Sequence, residues 1–140
     1  MVMGVIFAVA GVVTYVVVSN ELAAENITVS EDAEYFAGQD VTGPFTAYSE
    51  AETISKHALQ ATGGKTYAEL DRDDPARQTA MQASFLRASL FTSVVAFGVA
   101  ALAAVLGLVL VLIGWALRSL GRQTVAPEAV REEGTAAAPA

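Results

Sequence analysis

Few side chains in this sequence could do chemistry, and the first to consider is His57, its only histidine. Zinc sites use three or four protein ligands, and non-haem iron sites use two histidines and a carboxylate. A single histidine in a chain without cysteine supplies neither set. His57 follows Lys56 and stands two turns after Glu50 on a predicted helix, so we expect it on a solvated helix face. The residues therefore indicate no metal site and no cofactor.

Residues 61–66 superficially resemble a phosphate-binding loop, because two glycines precede a lysine and a threonine. That motif also requires a glycine five positions before Gly64, where this chain has Leu59. The apolar strand that leads into such a loop is missing as well. The segment instead predicts the end of a helix followed by a turn.

Three aspartates, Asp71, Asp73 and Asp74, could in principle bind calcium. A calcium loop, however, spaces its ligands around a central glycine and ends in a glutamate. Here Arg72 interrupts the carboxylates and Pro75 follows them. Aspartate before proline is typical of a helix start, with the aspartate as cap. We therefore predict a helix that begins near Pro75.

The composition is divided into blocks. The mean hydropathy of the 140 residues is +0.46 and 54% are hydrophobic, yet residues 20–87 are rich in acidic and hydroxyl side chains. Twelve acids stand against five bases between Glu21 and Arg87, which accounts for most of the net charge of −7. Such a segment repels nucleic acid, so no nucleic-acid partner is expected. The apolar flanks predict membrane segments.

The first apolar run covers residues 2–18 and is interrupted only by Thr14 and Tyr15. Its length lies at the lower limit for a membrane helix, about 17 residues. A cleaved signal peptide is the alternative, but the run has no basic residues before it and a poor cleavage site after it. We favour an uncleaved span. The missing basic start also suggests that the natural N-terminus lies upstream of Met1.

The second apolar run, residues 90–117, contains no charge and is almost entirely aliphatic from Val94 onward. Its last 24 residues would extend about 36 Å as a helix, enough to cross a bilayer with some tilt. Trp115 is suited to the interface, and Arg118 and Arg122 follow it at once. Because these bases are closest to the apolar core, we expect both termini in the cytoplasm and the loop outside.

The fold class that follows is a membrane α-helical protein: a hairpin of two transmembrane helices with a small, mainly α, possibly α+β, extracytoplasmic loop domain. We divide the chain into a first span (1–19), an acidic loop (20–88), a second span (89–117) and a disordered cytoplasmic tail (118–140). Small residues four positions apart would let the two spans approach closely. They are Gly4 and Ala8 in the first span, and Ala96, Ala100, Ala104, Ala103 and Gly107 in the second.

Within the loop, the short β-like runs 27–29 and 41–45 predict a small hairpin. The Ser49-Glu50-Ala51-Glu52 sequence is typical of a capping box, so we predict a helix that begins at Ser49 and ends at Gly63-Gly64. The helix that begins near Pro75 should run without a break into the second span. We predict that its inward stripe consists of Met81, Phe85 and Leu86.

Several stretches of the sequence resemble small two-span membrane proteins of actinobacteria. They are Gly43-Pro44-Phe45-Thr46-Ala47-Tyr48, Lys56-His57-Ala58-Leu59, residues 61–70 and, most specifically, residues 83–93. Members of that group often carry the label "aromatic ring-opening dioxygenase LigA". The label implies an iron site, and these residues offer no ligand set for one. We interpret it as a mis-transferred name.

We therefore expect a non-enzymatic accessory or scaffold subunit of a larger actinobacterial membrane complex, in the cell membrane, with other membrane protein subunits as partners. The alternative is an extracytoplasmic module that binds or senses a ligand or cell-wall component. If the scaffold hypothesis is right, the residues that contact the partner should include Pro44, Phe45, Tyr48, Phe85, Arg87 and Phe91.

Overall fold

The computed structural model describes residues 1–123, and that part of the chain is mostly helical. It contains three helices, α1 (Val2–Ala24), α2 (Pro44–Ala61) and α3 (Ala76–Gln123). Helix α3 continues six residues past Leu117, into the start of the predicted tail. The rest of that tail, 124–140, lies outside the described residues. At 1.5 Å per residue, the 48 residues of α3 extend about 72 Å.

Helices α1 and α3 lie side by side and run in opposite directions, and their closest approach is through small residues. A Cβ atom added to Gly4 would lie 2.7 Å from the Gly107 carbonyl oxygen, and one added to Gly11 would lie 2.5 Å from the Ala100 carbonyl oxygen. The backbones are therefore in direct contact. The predicted small-residue packing is confirmed for Gly4, Ala8, Ala100, Ala104 and Gly107; Gly11 and Gly114 belong to the same seam.

Larger side chains continue this seam toward the loop. The rings of Tyr15 and Phe97 lie 4.8 Å apart, and Phe97 is almost fully buried. Beyond them Leu22 and Leu90 are buried together, with Val18 packed against them. The seam residues on α1 recur every three or four positions, which keeps one face of a helix turned to its partner.

The opposite faces of α1 and α3 expose valine, isoleucine and leucine over most of their length. Both helices are long and apolar enough to cross a membrane, and only 11% and 17% of their most apolar windows are buried within the protein. A soluble core helix would instead be mostly covered. Apolar surface of this extent requires a lipid environment or a partner.

The predicted hairpin exists in a reduced form. Thr28 and Asp40 form an isolated antiparallel bridge. Around it, the Val29 amide donates to the Gln39 carbonyl and the Val41 amide donates to the Ile27 carbonyl, each at 2.8 Å. The second run ends earlier than predicted, because residues 44 and 45 already belong to α2.

The predicted start of α2 at Ser49 is wrong. The helix begins one and a half turns earlier, at Pro44, whose fixed φ suits the first helical position. The Thr46 side chain closes this end, since its hydroxyl bonds to both the amide and the carbonyl of Gly43. Ser49 instead donates its hydroxyl to the Tyr35 carbonyl at 2.6 Å, so it holds the preceding turn against α2.

The predicted end of α2 is confirmed. Ala61 is its last residue, and Gly63 and Gly64 both have positive φ, at 64° and 84°. The Gly64 amide returns to the Leu59 carbonyl at 2.7 Å, as in a helix C-terminal turn. The Gly63-Gly64-Lys65 sequence is therefore part of the turn that ends α2.

A loop of residues 62–75 links α2 to α3. Glu69 accepts hydrogen bonds from the amide and hydroxyl of Thr66, both at 2.8 Å, and these bonds lower the pKa of the Glu69 carboxyl. The Arg77 guanidinium donates to the Leu70 carbonyl at 2.6 Å and lies 4.1 Å from the centre of the Tyr67 ring. This loop is thus fastened to the first part of α3.

The predicted cap of α3 is confirmed, because the Asp74 carboxylate accepts the Ala76 amide at 2.8 Å. The predicted inward stripe is wrong. Met81, Phe85 and Leu86 are 45%, 76% and 50% exposed, whereas Ala80 and Leu90 are buried. On this part of α3, the side that faces α2 carries the small residues Ala80, Ala83 and Ser84, and the large side chains remain outside.

A core joins all of these elements. It contains Val29 and Val41 from the bridge and Ala47 and Ala51 from α2, packed against Leu22, Leu90 and Phe97 from the two long helices. The loop residues thus share this hydrophobic cluster with α1 and α3. With so few apolar residues of its own, the loop does not form an independent core.

Candidate functional site

Three of the predicted contact residues meet where α2 packs on α3. The Tyr48 ring stands edge-on to the Phe91 ring at 5.6 Å. Arg87 lies 5.2 Å from the centre of the same Phe91 ring and 3.9 Å from the Glu52 carboxylate. Both helices contribute two residues to this group, so it connects α2 to α3 as much as it faces outward.

These contacts also fix the height of α2 along α3. Tyr48 is level with Phe91, and Glu52, four residues later, is level with Arg87, four residues earlier. The two helices therefore run antiparallel with matched rise. By the same register, Phe45 is level with residue 94, where the aliphatic part of α3 begins.

A cleft of about 290 Å³ opens along the outer side of α2. Two carboxylates and one amine line this cleft: Glu34, Glu52 and Lys56. Four aromatic side chains surround it, each between 41% and 74% exposed, and they are Tyr35, Phe36, Phe45 and Tyr48.

Two of these rings were not predicted as site residues. Tyr35 and Phe36 come from the turn between the two bridge residues, Thr28 and Asp40. Phe36 has a φ of 62°, a left-handed conformation that is unfavourable for a bulky side chain. The turn is held by the bond from Ser49 to the Tyr35 carbonyl and by the Gln39 amide, which donates to the Phe36 carbonyl at 3.0 Å. No local sequence signal places these rings on α2, since their position depends on tertiary contacts.

The remaining predicted contact residues are placed differently from one another. Phe45 lines the cleft and is 74% exposed, while Pro44 beside it is half-buried. Phe85 belongs to a separate surface, the exposed stripe of Met81, Phe85 and Leu86 on α3. The structure therefore divides the six residues among a cleft, an internal contact and an outer stripe.

His57 lies on an exposed face of α2, as the sequence predicted, but its side chain also has a partner. Its Nε2–H donates to the Asp32 carboxylate at 2.6 Å, with both side chains about half exposed or more. This hydrogen bond is the main reason that the pKa of the Asp32 carboxyl lies below its ordinary value. The pair joins the turn between the two bridge residues to the C-terminal half of α2.

Changing His57 to alanine should raise the pKa of Asp32 toward that of a free aspartate, because the stabilising donor is removed. A carboxyl whose pKa is lowered by folding stabilises the fold above about pH 4, and this contribution is lost as the pH falls through the lowered pKa. A ¹³C-carboxyl titration of the full chain in micelles measures the change. Glu69 is the internal control, since its partner is Thr66 and its titration should not move. An unchanged Asp32 midpoint would show that the bond does not form in solution.

Among residues 1–123, no group of three or more histidine, cysteine, aspartate or glutamate side chains is arranged to hold a metal ion. His57 and Asp32 form a pair, and Asp74 is used as a helix cap. Of the three aspartates singled out in the sequence, Asp74 thus has a structural role as the cap of α3.

The other end of the paired helices is basic and aromatic. Met1, Trp115, Arg118, Ser119 and Arg122 line an open recess of about 520 Å³ there. The opposite end of the α1–α3 pair carries Glu21 and Glu25 beside Ser89, Thr92 and Ser93. The two ends of the apolar pair thus differ in charge, which bears on its orientation in a membrane.

Comparison with known proteins adds no relative. No protein-family model matches this chain, and neither the curated proteins nor the solved structures contain a significant match to it.

Proposed function

We propose that this chain is a multi-pass protein of the cell membrane, with both termini in the cytoplasm, and that it is a non-enzymatic accessory or scaffold subunit of a larger membrane complex of the actinobacterial type. The antiparallel α1–α3 pair is the membrane hairpin, and residues 20–88 are the extracytoplasmic domain. Arg118 and Arg122 next to Trp115 support the cytoplasmic side. The absence of lysine and arginine between Ser19 and Glu52, where the chain leaves α1, supports the outer side.

The observation that carries the scaffold role is the exposed stripe on α3. Phe85 is 76% exposed, and Met81 and Leu86 are about half exposed, on a part of α3 that lies before the apolar run. Phenylalanine and methionine are enriched where proteins bind one another. Because α3 is one unbroken helix, a partner bound to this stripe would be held at a fixed height above the membrane.

We expect a photo-reactive amino acid at position 85 to crosslink the full-length, C-terminally tagged chain to one membrane protein in the native host. The same protein should co-purify in mild detergent at a fixed ratio. Changing Phe85 to serine should reduce its recovery severalfold, because the most exposed apolar anchor of the stripe is lost. Mass spectrometry of the purified and crosslinked material measures both.

Gln60 provides the control. It is exposed but lies on α2, outside the stripe on α3. A reactive residue at position 60 should not give the same product, and Gln60→Ser should leave recovery unchanged. A chain that purifies as a free monomer and crosslinks to no protein from position 85 would overturn the scaffold role.

The aromatic cleft on α2 favours a second candidate function, an extracytoplasmic module that binds a ligand or cell-wall component. Four exposed rings around about 290 Å³ with Glu34 and Glu52 offer stacking surfaces and hydrogen-bond acceptors. The crosslinking experiment separates the two candidates. A stoichiometric protein at position 85 supports the scaffold, and its absence shifts the weight to the cleft.

A further inference from the structure

We propose that the N-terminal end of α2 is a third membrane-contacting element, which rests in the outer lipid–water interface through Phe45, with Pro44 and Tyr48 beside it. The inference rests on the two-span topology proposed above. It assigns different contacts to two exposed phenylalanines: Phe45 would contact lipid and Phe85 a protein partner.

The height of Phe45 is the first argument. The Tyr48–Phe91 and Glu52–Arg87 contacts set α2 and α3 in antiparallel register, and three residues before Tyr48 the register reaches residue 94 of α3. The uncharged, aliphatic part of α3 starts at that level. Phe45 therefore lies at the edge of the apolar zone, whereas Phe85 lies nine residues, or about 14 Å, farther out.

A contact on the other long helix gives the same height independently. The Ser19 hydroxyl donates to the Thr42 carbonyl at 2.7 Å. Ser19 directly follows the apolar run of α1, residues 2–18. The segment that leads into α2 is thus tied to the end of the first apolar run, and Phe45 follows three residues after Thr42.

The charge pattern of the loop is the second argument. Residues 41–49 carry no charged side chain, although Asp40 and Glu50 bound them directly and the loop as a whole is densely acidic. Glu50 is buried, and Asp40 lies on the bridge before the helix. The uncharged stretch coincides with the part of the loop that the register places at the apolar zone.

The exposed side chains have the chemistry of an interface. The Phe45 ring is 74% exposed and Tyr48 is half exposed with its hydroxyl free to reach headgroups or water. Tyrosine is enriched at this depth in membrane proteins, and phenylalanine is typical of the apolar face of helices that lie in the interface. The lipid-facing side of α3 begins at the same level, with Val95 exposed. The aromatic end of α2 thus continues an apolar surface that already requires lipid.

The test uses tryptophan fluorescence of the full chain in vesicles of phosphatidylcholine whose acyl chains are brominated near the headgroup. Trp115 is the only tryptophan of the wild type. In a Trp115→Phe background, Phe45→Trp and Phe85→Trp each give one reporter at an exposed site, where the larger ring fits without repacking. We expect the tryptophan at 45 to lose fluorescence to a degree comparable with Trp115, and the tryptophan at 85 to be nearly unquenched.

Each outcome is decisive. Quenching at 45 but not at 85 supports the interfacial position. Equal, weak quenching at both positions while wild-type Trp115 is quenched would overturn it and leave the two spans intact. If Trp115 itself is unquenched in wild type, the two-span topology has failed, and the interfacial position fails with it.

Discussion

Changing Gly107 to isoleucine should separate the two long helices and lower the free energy of unfolding by about 3 kcal/mol or more, at the upper end of the range for overpacked cores. A side chain at this position would run into the backbone of Gly4 and Ala8 on α1. Backbone atoms of a helix cannot rotate away as a flexible side chain can, so the helices themselves must move. Unfolding of the purified chain in mixed micelles with increasing SDS measures the loss.

Gly98 is the matched control for this experiment. It lies on the same helix nine residues earlier, and no atom lies within 4 Å of a Cβ added there. Gly98→Ile makes the same chemical change on an open side of α3 and should leave the unfolding midpoint nearly unchanged. Equal midpoints for the two variants would show that α1 and α3 do not pack through Gly107.

The helix pair was predictable because its packing is encoded locally. Small residues repeat at helical spacing on both spans, and only small residues permit the backbone contact seen between Gly4 and Gly107. Gly11 escaped prediction, since it falls seven residues after Gly4 and a four-residue spacing does not reach it. The seam follows steps of three and four, of which the four-residue pairs are one part.

The loop was harder to predict because its competing signals are settled by tertiary contacts. Ser49 and Glu52 match a capping box, yet the chain is already helical at Pro44 and uses Ser49 to hold the Tyr35 carbonyl. Likewise, Met81, Phe85 and Leu86 were predicted to face inward. The side of α3 that faces α2 instead carries Ala80, Ala83 and Ser84, which leaves the large side chains outside.

The candidate surfaces were also only partly predictable from the sequence. Phe45, Tyr48 and Phe85 were identified from the sequence, but their separation into a cleft and an outer stripe depends on the register of α2 against α3. Tyr35 and Phe36 join the cleft through a turn with a left-handed residue, which no periodicity reveals. The two long apolar helices were thus accessible from composition, whereas the shape of the surface formed by the segment between them was not.

The buried carboxyl of Glu50 should be the most sensitive side chain in the loop, and Glu50→Ala is expected to cost about 2–4 kcal/mol of stability. Glu50 is 6% exposed, and its oxygens accept the Ser30 amide at 2.7 Å and the Ser30 hydroxyl at 3.1 Å. Its loss leaves a buried donor without a partner and frees the bridge from α2. Amide hydrogen exchange in micelles should therefore accelerate first at Val29 and Val41.

Glu52, two residues along the same helix, separates this local effect from a general loss of negative charge. It is half exposed and 3.9 Å from Arg87, a geometry that contributes about 0–1 kcal/mol. Glu52→Ala should leave exchange at the bridge unchanged, and Glu50→Gln, which keeps one acceptor oxygen, should fall between the two alanine variants. If Glu50→Ala and Glu52→Ala exchange alike, the bridge does not depend on Glu50. In that case the core of Val29, Val41 and Ala51 holds the turn against α2, and the cleft rings would keep their positions without the carboxyl.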